Sequence, residues 1–273
     1  MNYCKQYSAM LWLLAMVAIA SAQKPGRLLW SEEFDYTGLP DTTIWTYDVG
    51  NGCPNICGWG NQEVQFYTEK DPRNARVEDG KLIIEAHRDA DGRWTSARLK
   101  TQGKKTFRYG CIQFRAKLPA GSGTWPALWM LGEDITTVGW PRCGEIDVME
   151  HVGRDPGRVQ AAMHTPSSHG DTQDKGGLMV PDFDRTFHVY EVRWTPRKIA
   201  FYLDGKNYYT YKPKTRNAET WPYDQPFFII VNIAMGGGFG SDPQYETNGL
   251  KNGIEPGLTT ARMEVDYIRL YRR

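Results

Sequence analysis

Beyond residue 75 the apolar residues come in short bursts. RVEDGKLIIEAHR, RYGCIQFRAKL, FHVYEVRW, KIAFYLDGKNYYTY, PFFIIVNIAM and ARMEVDYIRLY are rich in Val, Ile, Phe and Tyr, and they either alternate apolar with polar positions or run continuously apolar. Both patterns belong to strands, the first covered on one face and the second on both. Asp79-Gly80 and Asp204-Gly205 fall between such runs and read as hairpin turns. No stretch repeats apolar residues at i, i+3, i+4 and i+7 over three turns, so the expected class is all-β. Runs of this length and spacing suggest two packed antiparallel sheets, as a sandwich or a jelly roll. Such an architecture offers one curved face on which a long ligand can lie.

One strand-like stretch breaks the pattern. GEIDVMEHV, residues 144–152, gathers Glu145, Asp147 and Glu150 within six positions. On a helix, residues 145 and 147 would point about 200° apart and residue 150 about 140° from 145, so no common site would form. On a strand, Glu145 and Asp147 share one face while Ile146 and Val148 share the other. Glu150 is then out of phase and would face the core. An extra residue near Met149, a β-bulge, would turn it back beside the other two.

The chemistry of such a trio is specific. Two glutamates leaning together over a central aspartate can approach the roughly 5–5.5 Å between carboxyls that a retaining glycosidase requires. One would attack the anomeric carbon, while the other protonates the leaving oxygen and later activates water. Those roles need opposite protonation states, and crowded carboxylates cannot all ionise cheaply. A calcium cage or a solvated acidic strand are the alternatives, because carboxylates also serve both.

Composition narrows the partner. The formal charge is +1, with 33 Lys and Arg against 32 Asp and Glu. A balanced chain without a basic block is a poor match for nucleic acid or an anionic membrane, and favours an uncharged ligand. Residues 1–22 read as a signal peptide: Lys5, an apolar run shorter than the roughly 18 residues of a membrane span, then Ala20-Ser21-Ala22. Cleavage there removes Lys5 and Cys4, and the protein is expected to be exported, into a periplasm or the medium, with no membrane attachment afterwards. Residues 23–273 show no linker or repeat and are expected to form one domain, acting as a monomer. The remaining cysteines are Cys53, Cys57, Cys111 and Cys143. An exported chain permits disulfides, and CPNIC suggests a small Cys53–Cys57 ring, although four cysteines allow three pairings.

Several segments together resemble a known family. GWGNQEVQFYT, ARVEDGKLIIEA, TSARLKTQGK, AKLPAGSGTWPALWML, WPRCGEIDVMEHVG, FHVYEVRWTP and MEVDYIRLYRR are similar, in consistent order from about Leu28 to the C-terminus, to the family 16 glycoside hydrolases, in particular bacterial laminarinases, the endo-β-1,3-glucanases. The resemblance implies a β-jelly roll with a cleft across its concave sheet. It casts Glu145 as nucleophile, Asp147 as assisting carboxylate and Glu150 as acid/base. Lichenase-type members are less similar, since their motif lacks the residue that Met149 supplies here.

Trp125, Trp129 and Trp140 precede the acids, and indole faces suit the C–H faces of pyranose rings. Core packing competes with that role, most evenly at Trp129. By resemblance all three line glucose subsites, Asn61 and Arg98 bind the non-reducing side of the substrate, and His164 contacts Asp147 or the leaving sugar. Read without the resemblance, Asn61 is a loop-capping residue, Arg98 a strand-surface residue and His164 a satisfied polar group. The resemblance also implies a structural calcium ion near Glu33, Gly80 and Asp266, outside the chemistry. The expected partner is thus a β-glucan polysaccharide, with mixed-linkage glucans, agar-type galactans and non-hydrolytic glucan binding as the rival readings.

Overall fold

The computed structural model describes residues 26–272, so the signal-peptide reading of residues 1–22 lies outside the described residues. The first strands are β1 (Leu28–Glu32), β2 (Thr46–Asp48), β3 (Gln65–Tyr67), β4 (Ala75–Glu78), β5 (Lys81–Arg88), β6 (Trp94–Ser96) and β7 (Arg98–Lys100). The middle of the chain forms β8 (Gly110–Lys117), β9 (Thr124–Gly132), the short helix α1 (Ile135–Val138), β10 (Glu145–His151), β11 (Arg158–His164) and β12 (Lys175–Met179). The last are β13 (His188–Thr195), β14 (Lys198–Leu203), β15 (Lys206–Tyr211), β16 (Phe227–Met235), the short helix α2 (Gly237–Gly240) and β17 (Thr260–Tyr271).

These strands make two sheets. The larger runs β15-β14-β13-β8-β17-β5-β6-β3, with β1 on β17 and β4 on β5, and the smaller runs β12-β11-β10-β9-β16-β7-β2. Every pairing is antiparallel except that of β3 with β6, which is parallel. The antiparallel jelly-roll sandwich expected from the pattern therefore holds, apart from that edge. Both predicted hairpin turns have positive φ at two successive residues, 52° and 69° at Asp79-Gly80 and 48° and 80° at Asp204-Gly205. That is the type I′ geometry, which matches the twist of the flanking strands.

The alternating runs turn one face inward. Leu82 and Ile84 of β5, Phe114 of β8 and Val192 of β13 meet Leu128 of β9, Ile146 of β10 and Ile229 of β16 in one buried core. Each such side chain stabilises the fold by about 1.5–3 kcal/mol relative to exposure. The unbroken run PFFIIVNIAM has a separate explanation. Phe227, Ile229 and Val231 enter the main core, whereas Phe228 and Ile230 point out of the sandwich and pack with Leu131 and Cys143. Ile135 and Val138 of α1, with Trp129, cover this second cluster. The segment after β9 is thereby anchored to the outer face of the smaller sheet, and it carries Trp140 to the edge of the acidic trio.

Cys53 and Cys57 form a disulfide, which selects that ring among the possible pairings, while Cys111 and Cys143 are free and buried. The ring closes the loop that leads to Asn61.

Candidate active site

β10 carries the bulge that the sequence requires. Against β9 its register slips between Asp147 and Met149, and against β11 between Asp147 and Glu150. Val148 and Met149, adjacent in sequence, both enter the main core. One extra residue is absorbed there, and Glu150 returns to the outer face opposite Gln160 of β11. Glu145 pairs with His164 and Asp147 with Ala162 on the same strand, so the three acids and the histidine share one face.

The cluster is dense in charge and poor in water. Asp147 is 3 % exposed and Glu150 8 %, whereas Glu145 stays partly open. His164 Nε2 lies 3.0 Å from Asp147 Oδ2 and 3.8 Å from Glu145 Oε1. Burial opposes a charge on this imidazole, but the carboxylates of Glu145, Asp147 and Glu150 outweigh it and push His164 up to about 10. Burial first, then Glu145 and Glu150, raise Asp147 well above the carboxylate range, with His164 pulling the other way. Burial also raises Glu150, opposed by the Gln160 hydrogen bond, His164 and Trp125 and reinforced by Glu145. The asymmetry expected from crowding is thus present: an imidazolium stands beside the central acid, and Glu150 is shifted towards its protonated form.

The tryptophans do more than offer ring faces. Trp140 Nε1 donates to Glu145 Oε2 at 2.7 Å, and Trp125 Nε1 donates to Glu150 Oε1 at 3.1 Å. Trp129, evenly balanced between core and cleft on sequence alone, stands on the outer face and donates to Asn232 Oδ1 at 2.7 Å. Two of the three predicted platforms therefore hydrogen-bond two of the three carboxyls directly. Trp140 is 45 % exposed, so its ring also remains available to a ligand.

A second group of predicted residues stands across β16. The Arg98 guanidinium lies between the rings of Trp59 and Trp129, at 4.9 and 4.7 Å from their centroids, and its Nε is 2.9 Å from Asp48 Oδ2. Exposed Asn61 donates to Glu63 Oε1, and Gln65 donates to Glu63 Oε2. Burial raises the Glu63 carboxyl, against the pull of Asn61 and Arg98. This wall of rings and fixed polar groups suits a chain of uncharged sugars. Trp59, Glu63 and Gln160 were not singled out from the sequence. Trp59 sits in GWGNQE beside Asn61, and Gln160 lies in phase with His164 on β11, so each had a local signal.

The residues expected around a calcium ion lie close together. Strand pairing brings Glu33, Gly80 and Asp266 to neighbouring positions around β17, because β1, β5 and β8 all flank it there. Their side chains do not form an oxygen cage. Both Glu33 oxygens accept from Arg269, at 2.9 and 2.8 Å, and Asp266 Oδ2 accepts from Arg115 at 2.6 Å. Gly80 can offer only its carbonyl, so a calcium ion here would be held by backbone carbonyls and the remaining Asp266 oxygen, beside the two ion pairs. Glu145, Asp147 and His164 offer ligand atoms within 4.8 Å of one another. Those atoms already engage one another, with His164 Nε2 3.0 Å from Asp147 and 3.8 Å from Glu145.

Residues 61–269 match the profile of glycosyl hydrolases family 16. The chain belongs to that family. A "Beta-glucanase" of Rhodothermus marinus is 46% identical over 258 residues, covering 90% of this chain and 85% of the relative. Among solved structures, a laminarinase from Flavobacterium sp. UMI-01 is 42% identical with a TM-score of 0.81, covering 90% of this chain and 100% of the other. The laminarinase from Rhodothermus marinus is 44% identical, also at 0.81, covering 92% and 99%. Membership makes this a glycoside hydrolase of the family 16 fold.

Proposed function

We propose that this family 16 enzyme is an exported, retaining endo-β-1,3-glucanase that cuts internal bonds of laminarin-like glucans. The observation that carries the reading is the bulged β10, which puts a partly open glutamate and a buried, proton-biased glutamate on one face with an ion-paired aspartate between them. Names of close relatives support the β-glucan substrate, and the neutral charge balance agrees with an uncharged polymer.

In the first step Glu145 attacks the anomeric carbon while Glu150 passes its proton to the departing glycosidic oxygen. The C–O bond to the leaving chain breaks as the glycosyl–Glu145 ester forms. Glu150, now a carboxylate, removes a proton from water; the water oxygen attacks the anomeric carbon, and Glu145 is released. The Trp140 indole N–H orients the attacking carboxylate and stabilises it again on release. The His164 imidazolium offsets Asp147 throughout, so that the nucleophile does not face a second bare charge.

The test is product analysis on laminarin, lichenan and agarose. Laminarin should yield a ladder of oligosaccharides whose new reducing ends are β when first formed. Initial α products would exclude double displacement, cleavage of agarose alone would exclude the glucan, and binding without products would favour a glucan-binding module. Export is tested separately by N-terminal sequencing of protein recovered outside the cell, with Gln23 expected first.

A further inference from the structure

Glu150 must be an acid in one half of the proposed cycle and a base in the other, so its hydrogen-bond partners have to suit both forms. Among the described residues it has two. Trp125 Nε1 donates to Oε1 and Gln160 Nε2 donates to Oε2, each at 3.1 Å. An indole N–H can only donate. A carboxamide can donate through its NH₂ or, after rotating, accept through its oxygen.

The placement of Gln160 follows from the bulge. With the register slipped between Asp147 and Glu150, Gln160 becomes the direct cross-strand partner of Glu150. A cavity of about 80 Å³ opens beside them, bordered by Arg154, Asp155, Arg158 and Phe239. Its cations are engaged elsewhere: Arg154 lies over the Phe239 ring at 5.3 Å and donates to the Ser241 carbonyl at 2.9 Å, and Arg158 lies 3.7 Å from Asp155. The other charged or titratable groups acting on Glu150 are Glu145 and Asp147 on its own strand, His164 on β11 and half-buried Tyr208 of β15. None of these is hydrogen-bonded to its carboxyl.

We propose that Gln160 is the positioning residue of the acid/base: it holds Oε2 of Glu150 as a donor when the group is a carboxylate and as an acceptor when the group carries its proton. The proposal rests on Glu150 being the acid/base. Hydrogen bonds to a charged acceptor are the stronger kind, so the net effect of Gln160 favours the carboxylate, in line with the direction of its influence on Glu150.

The test is the pH profile of kcat/KM on laminarin for the wild type, Gln160→Met and Gln160→Glu. Methionine keeps the bulk and removes the donor. The ionised form of Glu150 then loses support, and the upper limb should move to higher pH by about one unit, the size of one charge-assisted hydrogen bond. The lower limb should stay. Gln160→Glu sets a second carboxyl against Oε2 and should move the upper limb at least as far, which keeps the idea testable if the methionine variant does not fold. Activity lost evenly at all pH values, with the upper limb unmoved in the folded variants, would overturn the proposal by reducing Gln160 to packing. Glu150→Ala separates the two claims. If it loses activity and recovers with azide while the Gln160 limbs stay put, only the role of Gln160 fails; if it retains full activity, the acid/base reading itself fails.

Discussion

On the outer face of the ten-stranded sheet, acids meet bases in pairs and short networks. Glu33 lies 2.8 Å from Arg269, Asp266 2.6 Å from Arg115, Glu264 2.9 Å from Lys117 and Glu191 2.5 Å from Arg193. On the outer face of the seven-stranded sheet, Glu145, Asp147 and Glu150 have one cationic neighbour within reach, His164. The backbone is the same kind of strand in both places. What differs is that one face distributes its charge for stability and the other concentrates it. At Glu33 the Arg269 hydrogen bond lowers the carboxyl pKa despite some burial. Crowded, buried carboxylates have raised pKa values, and a raised carboxyl is what general acid catalysis needs. The residues of the calcium expectation sit on this paired face, where Glu33 and Asp266 each hold a guanidinium partner.

The contrast can be broken most severely at Glu145, the proposed nucleophile. Glu145→Gln keeps the shape but cannot attack, and should lower kcat on laminarin by about ten-thousandfold or more, leaving polymer binding by affinity electrophoresis nearly unchanged. Next, Arg98→Ala should raise KM by roughly tenfold, about 1.4 kcal/mol, with a smaller effect on kcat, since it loosens Trp59 and Trp129 without touching the reacting carboxyls. Steady-state kinetics on laminarin reads both parameters.

His164→Asn probes the offset charge through stability. The imidazole is raised from 6.5 to about 10 in the fold, so its contribution to stability is full below about pH 6.5 and is lost as pH rises through about 10. The melting-temperature gap between wild type and variant should therefore narrow steadily across that window; a gap that stays constant would show that the histidine packs but does not act by charge. The smallest effect belongs to the paired face. Glu33→Gln removes a partly exposed ion pair and should cost under about 1 kcal/mol in urea unfolding, with no change in activity.

Much of this was legible in advance because strand periodicity is local. The phase conflict between Glu145 and Glu150 announced the bulge, and the Asp-Gly pairs announced their turns. The roles of Trp125 and Trp140 as donors to two different carboxyls were not legible, because the first depends on the register of β9 against β10 and the second on α1 packing over Phe228 and Ile230. Gln160 was missed for a related reason. Its phase puts it on the face of His164, but its significance comes from the one-residue slip that puts it opposite Glu150. Parallel pairing of β3 with β6 likewise depends on where two short segments land at the sheet edge, and neither segment encodes it.

By itself, the order of residues determined the all-β class, the inward and outward faces of each strand and the acids that share one of them, since a period of two needs no knowledge of distant neighbours. Only the tertiary structure decided which cation reaches which acid and which side chains fix each carboxyl. Those outcomes depend on strands far apart in the chain being brought within a few ångströms, where burial and charge act together.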